Sequence, residues 1–290
     1  MSNEPDNVAI IVLNWNDSNG TIKTIEALTS VILPGDHIII IDNASTPELN
    51  IKSSPELTLI RSVHNLGFAG GNNLGIELAV ERQFPYIMLL NADAHLTIDT
   101  LSSLRNYLNK HPDMALVGPV LHEGQNKSYG GMDIGKHLNT RITDLRFAHL
   151  LQYIPGTAIL VRAKVFEKIG VLDEDYFFSG EIADFCMRAG KAGLKIGIDK
   201  QSVTEHRIDQ RPGNLRNTLY TYYNFRNRFL FIRKHHHTVR MRYFLKWLYL
   251  GIVQYLGSIK NGDSEKARAI RLAIRDGIFG KFGNQNDKFI

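Results

Sequence analysis

Residues 86–93 read YIMLLNAD, an apolar run that ends in two polar side chains separated by one alanine. A short apolar run closed by polar residues is typical of a strand buried on both faces. Similar runs precede it, and helical patterns lie between some of them. The strand-like runs are residues 8–13, 38–41 and 57–62, and the helical patterns are residues 21–30 and 72–82. This alternation predicts an α/β fold with parallel strands joined by crossover helices.

Polar residues follow each of these strands. Asn14, Asp42, Asn65 and Asp93 come after the first, second, third and fourth strand, respectively. Because loops beyond the carboxyl ends of parallel strands converge on one edge of the sheet, we expect these side chains to meet there. The alternative is that Asn and Asp only form turns. Their recurrence at four strand ends favours a ligand site.

Composition excludes several classes of protein. The 290 residues are 43% hydrophobic and 22% charged, which does not fit a disordered, collagen-like or disulfide-stapled chain. Cys186 is the single cysteine and predicts a reducing compartment, the cytoplasm. The acidic N-terminus predicts no secretion signal. The net charge of +5 is small and concentrated after residue 206, so we expect a local basic surface and no nucleic-acid partner.

Asp93 is a candidate metal ligand because a strand end would hold its carboxylate rigidly beside the site. Hard cations such as Mg or Mn prefer carboxylate oxygens, and phosphate and water complete their coordination. His206, which follows a strand-like run at residues 195–198, offers an imidazole ligand. The alternative is that a lone histidine is a surface or core residue. The sequence thus predicts a divalent cation at Asp93 and His206.

The glycine-rich residues 65–73, NLGFAGGNN, are predicted to form a loop between a strand and a helix. Backbone N–H groups at the start of that helix would face an anion. The segment has neither the spacing of dinucleotide-binding folds nor that of P-loops, which disfavours a dehydrogenase or an NTPase. The alternative is a tight connection that needs glycine for its positive φ angles.

Taken together, these segments resemble the inverting family-2 glycosyltransferases of GT-A fold, particularly the bacterial rhamnosyltransferase-like members. The resemblance covers about the first 210 residues. Its five segments, in order, are residues 8–16, 41–45, 65–73, 91–93 and 180–188. It implies a nucleotide-diphosphate-sugar donor whose base contacts Asn14 and Asp42. It also implies that Asn65, Gly67, Gly70 and Asn73 lie along the ribose and pyrophosphate, and that Asp93 ends a metal motif whose first position is Asn91.

The general base is the position at which the chain departs from that family. Family members carry an acidic residue at the position of Ile182, within the GEIAD of residues 180–184. An inverting transfer needs a carboxylate to take the proton of the acceptor hydroxyl, and isoleucine cannot do so. Glu181 is favoured for this role over Asp184, which at i,i+4 would brace Arg188. The alternatives are that both acids only decorate a helix start, or that activity is lost.

Other conspicuous side chains have simpler interpretations. Aromatic residues at 15 and 176–178 could form a wall for a sugar, although most aromatics lie in the core. Cys186 is predicted to be a small buried hydrophobe. The three consecutive histidines at residues 235–237 cannot all bind one metal and are predicted to form a solvated basic surface.

The last part of the chain is predicted to be helical, aromatic and basic. We divide the chain into residues 1–216, which bind donor and catalyse, and residues 217–290. Residues 243–259 are apolar apart from Lys246, Gln254 and a few small residues, and 17 residues are few for a membrane span, which needs about 20. Flanking cations favour a helix lying on an anionic membrane surface, peripheral at the inner face of the plasma membrane. The alternative is a subdomain that packs on the core or forms a homo-oligomer interface.

The function predicted from the sequence is metal-assisted, inverting transfer of a sugar from a UDP- or dTDP-linked donor. The acceptor would be a hydroxyl of a saccharide or lipid-linked saccharide, in the synthesis of cell-surface polysaccharide. Two alternatives remain open: a relative that binds the nucleotide sugar or a partner without turnover, and a nucleotidyltransferase, which would release pyrophosphate.

Overall fold

A computed structural model describes residues 6–206 and 215–290. Within them, nine strands form one sheet flanked by helices, which confirms the predicted α/β fold. The strands are β1 (Val8–Asn14), β2 (His37–Asn43), β3 (Leu57–Ser62), β4 (Tyr86–Asn91), β5 (Ala94–His95), β6 (Met114–Glu123), β7 (Asn126–Ser128), β8 (Ala158–Arg162) and β9 (Lys195–His206). Their order across the sheet is β3-β2-β1-β4-β8-β6-β9-β5, with β7 paired to β6.

The helices connect the strands through residue 206 and then form a separate layer after residue 214. They are α1 (Ser18–Thr29), α2 (Gly67–Glu81), α3 (Ile98–Lys110), α4 (Ala163–Ile169), α5 (Glu181–Lys191), α6 (Leu215–His235), α7 (Arg240–Lys260) and α8 (Ser264–Phe279). None of the helices in the described ranges is both long and apolar enough to cross a bilayer.

The central strands are apolar along their length up to their polar ends, because both of their faces are buried. In β1, Ala9 and Ile11 join one hydrophobic cluster, while Val8, Ile10 and Val12 join the cluster on the other face. β2 and β4 divide their side chains in the same alternating way. Strands buried on both faces therefore explain the uninterrupted apolar runs in the sequence.

The carboxyl ends of the parallel strands lie at one edge of the sheet. Asn14 is in register with Asp42 across the β1–β2 pair, and Leu13 is in register with Asn91 across the β1–β4 pair. The expectation that polar strand ends gather at one edge is confirmed for these three strands.

The second half of the sheet is mixed, because β8 runs antiparallel to both of its neighbours, β4 and β6. β9 pairs in parallel with β6 and ends in a short antiparallel pair with β5. In that pair Ala94 lies opposite His206, which brings the histidine next to Asp93. The strand at residues 195–198 is longer than predicted, and α3 and most of β6 were not anticipated.

The prediction of a glycine-rich loop before α2 is wrong, because α2 begins at Gly67. Glycine is required here for close packing: a Cβ atom on Gly71 would lie 2.4 Å from Leu13 Cδ1, and one on Gly75 would lie 2.7 Å from Ile11 Cγ2. Side chains at these positions would push the helix away from β1. The segment is thus the first part of a helix held tightly against the sheet.

The C-terminal helices build a hydrophobic core of their own, in which Phe229 and Trp247 are fully buried. α6 also reaches the first part of the molecule, since the Arg228 guanidinium donates to Ile134 O at 2.7 Å and to His137 O at 2.8 Å. The predicted boundary between residues 216 and 217 falls in the first turn of α6, and residues 207–214 just before that helix lie outside the described ranges. The division into two domains therefore stays a prediction.

We expect Gly67→Ala to lower the free energy of unfolding more than Gly124→Ala does. Both glycines have positive φ, +72° and +61°, but a Cβ on Gly67 would lie 2.3 Å from Phe177 O, whereas one on Gly124 would have nothing within 4 Å. The conformational cost alone is about 1 kcal/mol, so Gly67→Ala should cost more than about 2 kcal/mol. Urea denaturation of both variants tests this, and equal losses would contradict the packing argument.

Candidate active site

A cavity of about 770 Å³ opens at the edge where the parallel strands end. Its size falls in the range of about 300–1,000 Å³ that is usual for small-molecule sites. Five of the predicted site residues line it: Asn65, Gly67, Asn91, Asp93 and Glu181. The described lining does not include Asn14, Asp42, Gly70, Asn73, Asp184 or His206.

Asn14 and Asp42 are buried behind the lining and brace the strand ends. The Asn14 amide donates to an Asp42 carboxylate oxygen at 3.1 Å and to the Ser45 hydroxyl at 2.9 Å. The Leu49 N–H donates to the other Asp42 oxygen at 2.8 Å. Burial opposes ionisation of Asp42, but these hydrogen bonds dominate and lower its pKa. Contact of Asn14 and Asp42 with a nucleotide base stays a prediction.

Asn65 lies at the cavity and is held there by Asn43, a lining residue that the sequence did not single out. The Asn43 amide donates to Asn65 Oδ1 at 3.1 Å and to Gly67 O at 3.0 Å. Asn43 is the last residue of β2, so the sheet directly positions the start of α2. Its place immediately after Asp42, at a strand end, is the signal by which it might have been found.

Gly70 and Asn73 have structural contacts in α2. A Cβ on Gly70 would lie 2.9 Å from the Leu66 Cβ. The Asn73 side chain donates to Leu172 O and Glu174 Oε1, both at 2.9 Å, and accepts from Leu172 N at 3.0 Å. The structure therefore does not bring Gly70 and Asn73 to the cavity with Asn65 and Gly67.

The first N–H groups of α2 do not face an anion, so that expectation is wrong. Phe68 N donates to Phe177 O at 2.6 Å, and Ala69 N donates to the same oxygen at 3.4 Å. A backbone carbonyl from another part of the chain thus caps the helix and occupies the position an anion would take.

Asp93 and His206 form a buried pair at the cavity. Asp93 Oδ1 lies 3.1 Å from His206 Nε2, and Asp93 Oδ2 lies 3.5 Å from the Arg216 guanidinium. Glu123 accepts from His206 Nδ1 at 2.9 Å. Burial opposes the charged forms, but the contact with His206 lowers the pKa of Asp93. The contacts with Asp93 and Glu123 raise the pKa of His206 to about 9.

The same atoms suit a divalent cation. Both Asp93 carboxylate oxygens and His206 Nε2 are buried, and within the described ranges they lie against each other and against Arg216. A carboxylate and an imidazole nitrogen held side by side are ligand types that divalent cations bind. No group of three or more His, Cys, Asp or Glu side chains in the described ranges is placed to hold a metal. Asp93 and His206 would thus leave the other coordination positions to phosphate and water.

Glu181 stands on the cavity wall at the first position of α5 and is almost completely buried. Burial raises its pKa to about 7, with a smaller contribution from the negative charge of Asp184, although nearby backbone N–H groups oppose the shift. Its Oε2 atom has no hydrogen-bond partner in the described part of the chain. A carboxylate of this kind can accept a proton near neutral pH.

The turn before Glu181 has an unusual backbone. Phe177, Ser179 and Gly180 adopt positive φ angles of 60°, 70° and 101°. Side chains other than glycine rarely adopt this conformation, which persists only when the surroundings hold it. Here Phe177 O caps α2 and Gly180 begins α5, so the turn links two elements of the site.

Arg226 and Asn227 of α6 hold that turn. The Asn227 amide donates to Tyr176 O, Phe178 O and Ser179 O at 2.9, 3.0 and 2.5 Å. The Arg226 guanidinium donates to Tyr176 O at 3.0 Å. The sequence analysis missed both residues, and the only signal was a run of polar residues, RNR, inside an aromatic helix.

Asp184 is a structural acid at the core side of α5. It accepts from Arg188 Nε at 2.8 Å, as the i,i+4 spacing predicts, and from His235 Nε2 at 2.7 Å. Burial opposes ionisation, but the hydrogen bonds from His235 and Arg188 dominate and lower the pKa of Asp184. With its oxygens occupied in this way, Asp184 is less suited than Glu181 to accept a proton.

The remaining side chains divide between site and core. Trp15, Phe177 and Phe178 line the cavity, while Tyr176 is buried against Asp184. Cys186 is a buried free thiol, as predicted, and burial raises its pKa to about 12. The prediction of a solvated histidine surface is wrong for His235, which bonds to Asp184, and for His236, which lies 3.0 Å from Asp133, whereas His237 is exposed. The acids that pair with them lie far away in sequence, which the histidine run could not reveal.

Comparison with known proteins agrees with this geometry. The profile of Glycosyl transferase family 2 matches residues 9–170, more than half of the chain. The chain belongs to this family. The low-salt glycan biosynthesis hexosyltransferase Agl10 of Haloferax volcanii is 25% identical over 240 residues, 78% of this chain and 75% of the relative. The dTDP-rhamnosyl transferase RfbF of Shigella flexneri is 21% identical over 248 residues, 79% of this chain and 81% of the relative.

Solved structures share the fold. The mannosyltransferase PcManGT of Pyrobaculum calidifontis, in complex with GDP-Man and Mn²⁺, superposes with a TM-score of 0.59 at 12% identity. The match covers 94% of this chain and 87% of that chain. The predicted GT-A-like fold is thus confirmed for this member of family 2.

We expect Asn227→Asp to destabilise the protein by about 2–4 kcal/mol. The variant keeps the oxygen that accepts from Arg226 Nε at 2.8 Å but loses the amide that donates to three carbonyls. Leaving buried carbonyls unpartnered costs about 1–3 kcal/mol each, partly relieved by water. Denaturation in urea measures the loss, and Asn106→Asp, at an exposed position of α3, is the control. Equal stability of the two variants would contradict the role given to Asn227.

Glu181 makes stability depend on pH in a definite direction. Its pKa is about 7 in the folded protein, against 4.5 for a solvent-exposed glutamate, so between these values the folded state retains a proton that the unfolded chain loses. Glu181 therefore makes its full contribution to the free energy of unfolding below pH 4.5, and this contribution is lost as the pH rises through 7. Relative to Glu181→Gln, wild type should lose about 3 kcal/mol between pH 4.5 and pH 8. Urea denaturation of both proteins measures the difference, which would be constant with pH if Glu181 had an ordinary pKa.

Proposed function

We propose that this member of family 2 transfers a hexosyl group from a nucleotide-diphosphate sugar to a hydroxyl group, with inversion. The observation that carries the proposal is one cavity lined by two different carboxylates. Asp93 lies against His206 and Arg216 and has a lowered pKa, whereas Glu181 has a pKa raised to about 7. Two carboxylates whose pKa values are shifted in opposite directions by their surroundings suit two different roles.

Asp93 and His206 would hold a divalent cation, Mg or Mn, with His206 Nε2 unprotonated. The cation would neutralise charge on the diphosphate leaving group. Support comes from the placement of the Asp93 carboxylate beside His206 Nε2, and from PcManGT, whose structure contains Mn²⁺. The Arg216 guanidinium lines the same cavity and adds a positive charge beside Asp93.

Glu181 would act as the general base. Its unpartnered Oε2 would accept the proton of the acceptor hydroxyl while that oxygen attacks the anomeric carbon. The bond from that carbon to the diphosphate oxygen breaks on the opposite face, which inverts the configuration. The turn at residues 177–180 and Asn227 would keep the carboxylate in place.

The donor is proposed to be UDP- or dTDP-linked and the acceptor a saccharide or lipid-linked saccharide, in the synthesis of a cell-surface polysaccharide. The names of the relatives support these choices, since one is a glycan biosynthesis hexosyltransferase and another a dTDP-rhamnosyl transferase. The nucleotide is proposed to contact Asn65, Gly67 and Asn91, which is supported by their place in the lining.

Glu181→Gln should lower kcat by at least about a thousandfold and leave donor affinity within about threefold, since the amide keeps the shape but cannot accept the proton. In wild type, kcat/KM should fall about tenfold per pH unit below the Glu181 pKa of about 7. Release of nucleoside diphosphate, with product anomers assigned by NMR, measures turnover and inversion.

Asp184→Asn is the matched control, because it removes a carboxylate of the same helix that the cavity lining does not include. Asp184→Asn should lower the free energy of unfolding, because the pairs with Arg188 and His235 are lost. Its kcat/KM should still fall with decreasing pH below about 7. Full turnover by Glu181→Gln would refute the assignment of the base. Release of pyrophosphate from a nucleoside triphosphate would instead indicate a nucleotidyltransferase.

A second candidate function, binding of the nucleotide sugar without transfer, is favoured by Ile182. This residue lies in the cavity lining at the family's usual base position and also packs in the hydrophobic core. Binding of UDP or dTDP sugars detected by calorimetry, together with no turnover over a broad acceptor panel, would favour this candidate over the first.

A further inference from the structure

The helix α7 exposes apolar side chains on the face that points away from the protein. On its inner face Trp247, Gly251 and Ser258 are buried against the other C-terminal helices. On its outer face seven apolar residues are between 46 and 70% exposed. These residues, here called the outer stripe, are Met241, Leu245, Tyr249, Ile252, Val253, Leu256 and Ile259.

The spacing of the outer stripe makes it continuous. Its members recur mostly at steps of three or four residues, which place them on one side of a helix with 3.6 residues per turn. Single exposed apolar residues are common on protein surfaces, but seven along one helix face are not. The stripe therefore needs a partner with an apolar component.

The charges around the stripe indicate what that partner is. α7 contains four cations, Arg240, Arg242, Lys246 and Lys260, and no Asp or Glu. All four are exposed, and the Lys246 ammonium also donates to Lys136 O at 2.5 Å. By helical angle, Arg242, Lys246 and Lys260 fall on one border of the stripe. Apolar side chains bordered by cations match the acyl and headgroup layers of an anionic bilayer.

The formal charge is distributed unevenly between the two parts of the chain. Residues 215–290 carry 15 Lys and Arg against 4 Asp and Glu, a formal charge of +11, although the full chain has only +5. Residues 1–214 are therefore net negative. An anionic surface would attract the C-terminal helices and repel the rest, which would orient the molecule with α7 toward that surface.

A second copy of the chain fits the stripe less well. In a symmetric pair of α7 helices the same surface would face itself, so the cations bordering the stripe would oppose one another with no acid from either helix. The nearest following acids, Asp263 and Glu265, belong to the start of α8, where Asp263 caps the helix by accepting from Lys266 N.

We propose that the outer stripe and its cations bind the headgroup layer of an anionic membrane, with α7 lying in the plane of the surface. α7 runs antiparallel to α6, since Phe244 packs on Phe229 while Trp247 and Gly251 pack on Phe225. The last turns of α7 therefore lie beside the first turns of α6, where Leu219 and Tyr220 line the cavity. Binding in this orientation holds the cavity near the membrane. The proposal of membrane binding does not depend on the proposed transfer reaction.

The test is flotation of the full chain with vesicles of phosphatidylcholine, with or without about one third phosphatidylglycerol. Wild type should bind the anionic vesicles at least tenfold more tightly than the neutral ones. Leu256→Glu should weaken binding at least about tenfold, because it removes an inserted side chain and adds a negative charge. Arg242→Glu should weaken it by about fivefold or more.

Val63→Glu is the matched control, because it places the same charge at a 90% exposed valine on another part of the surface. It should bind the anionic vesicles within threefold of wild type. Thermal midpoints of all three variants establish that they are folded. Light scattering after gel filtration gives the oligomeric state without vesicles.

Three results would overturn the proposal. They are equal binding of wild type to neutral and anionic vesicles, no loss of binding in Leu256→Glu relative to Val63→Glu, and a dimer in solution that Leu256→Glu dissociates. Release of nucleoside diphosphate with a water-soluble acceptor is measured independently of all three results. Failure of the membrane-binding proposal is therefore distinguishable from failure of the proposed transfer.

Discussion

The geometry of the site depends on hydrogen bonds between two neighbouring side chains of α6 and the backbone of a strained turn. Arg226 and Asn227 together donate to carbonyl groups of residues 175–179. Without these donors the turn would have buried, unpartnered carbonyls and three residues at positive φ. The turn also caps α2 through Phe177 O and ends at Gly180, where α5 begins. One set of contacts therefore fixes two walls of the cavity.

An unpartnered oxygen distinguishes Glu181 from the acids of the framework. Asp42 and Asp184 are as deeply buried as Glu181, but hydrogen bonds with neighbouring groups stabilise their charge. Glu181 retains an oxygen, Oε2, with no hydrogen-bond partner in residues 6–206 and 215–290. A buried acid that is left partly unpartnered is unfavourable for folding, and its occurrence in a cavity is typical of a functional group.

The C-terminal helices combine two surfaces of different character. Their inner side supplies the side chains that hold the turn and a core built around Trp247. Their outer side presents apolar residues and cations to solvent. The same helix layer thus links the interior of the active site to the surface on which we expect the molecule to bind.

The strands and the family followed from the sequence, because both depend on local patterns. The apolar runs at residues 8–13, 38–41 and 86–90 became buried strands, since a strand covered on both faces must be apolar throughout. Asp93 and Glu181 could be located because each lies at a fixed offset from a strand or helix end. These offsets do not depend on the rest of the fold.

Contacts between distant segments were decided by the tertiary structure alone. Residues 67–73 were expected to be a loop because glycine disfavours helices, but packing against Leu13 and a cap from Phe177, more than 100 residues away, make them helical. The histidines at 235 and 236 became buried for a similar reason, since their acidic partners, Asp184 and Asp133, precede them by 51 and 103 residues. Residue type and local spacing carry no information about which remote group will neutralise a charge or cap a helix. Only the folded chain brings those groups together.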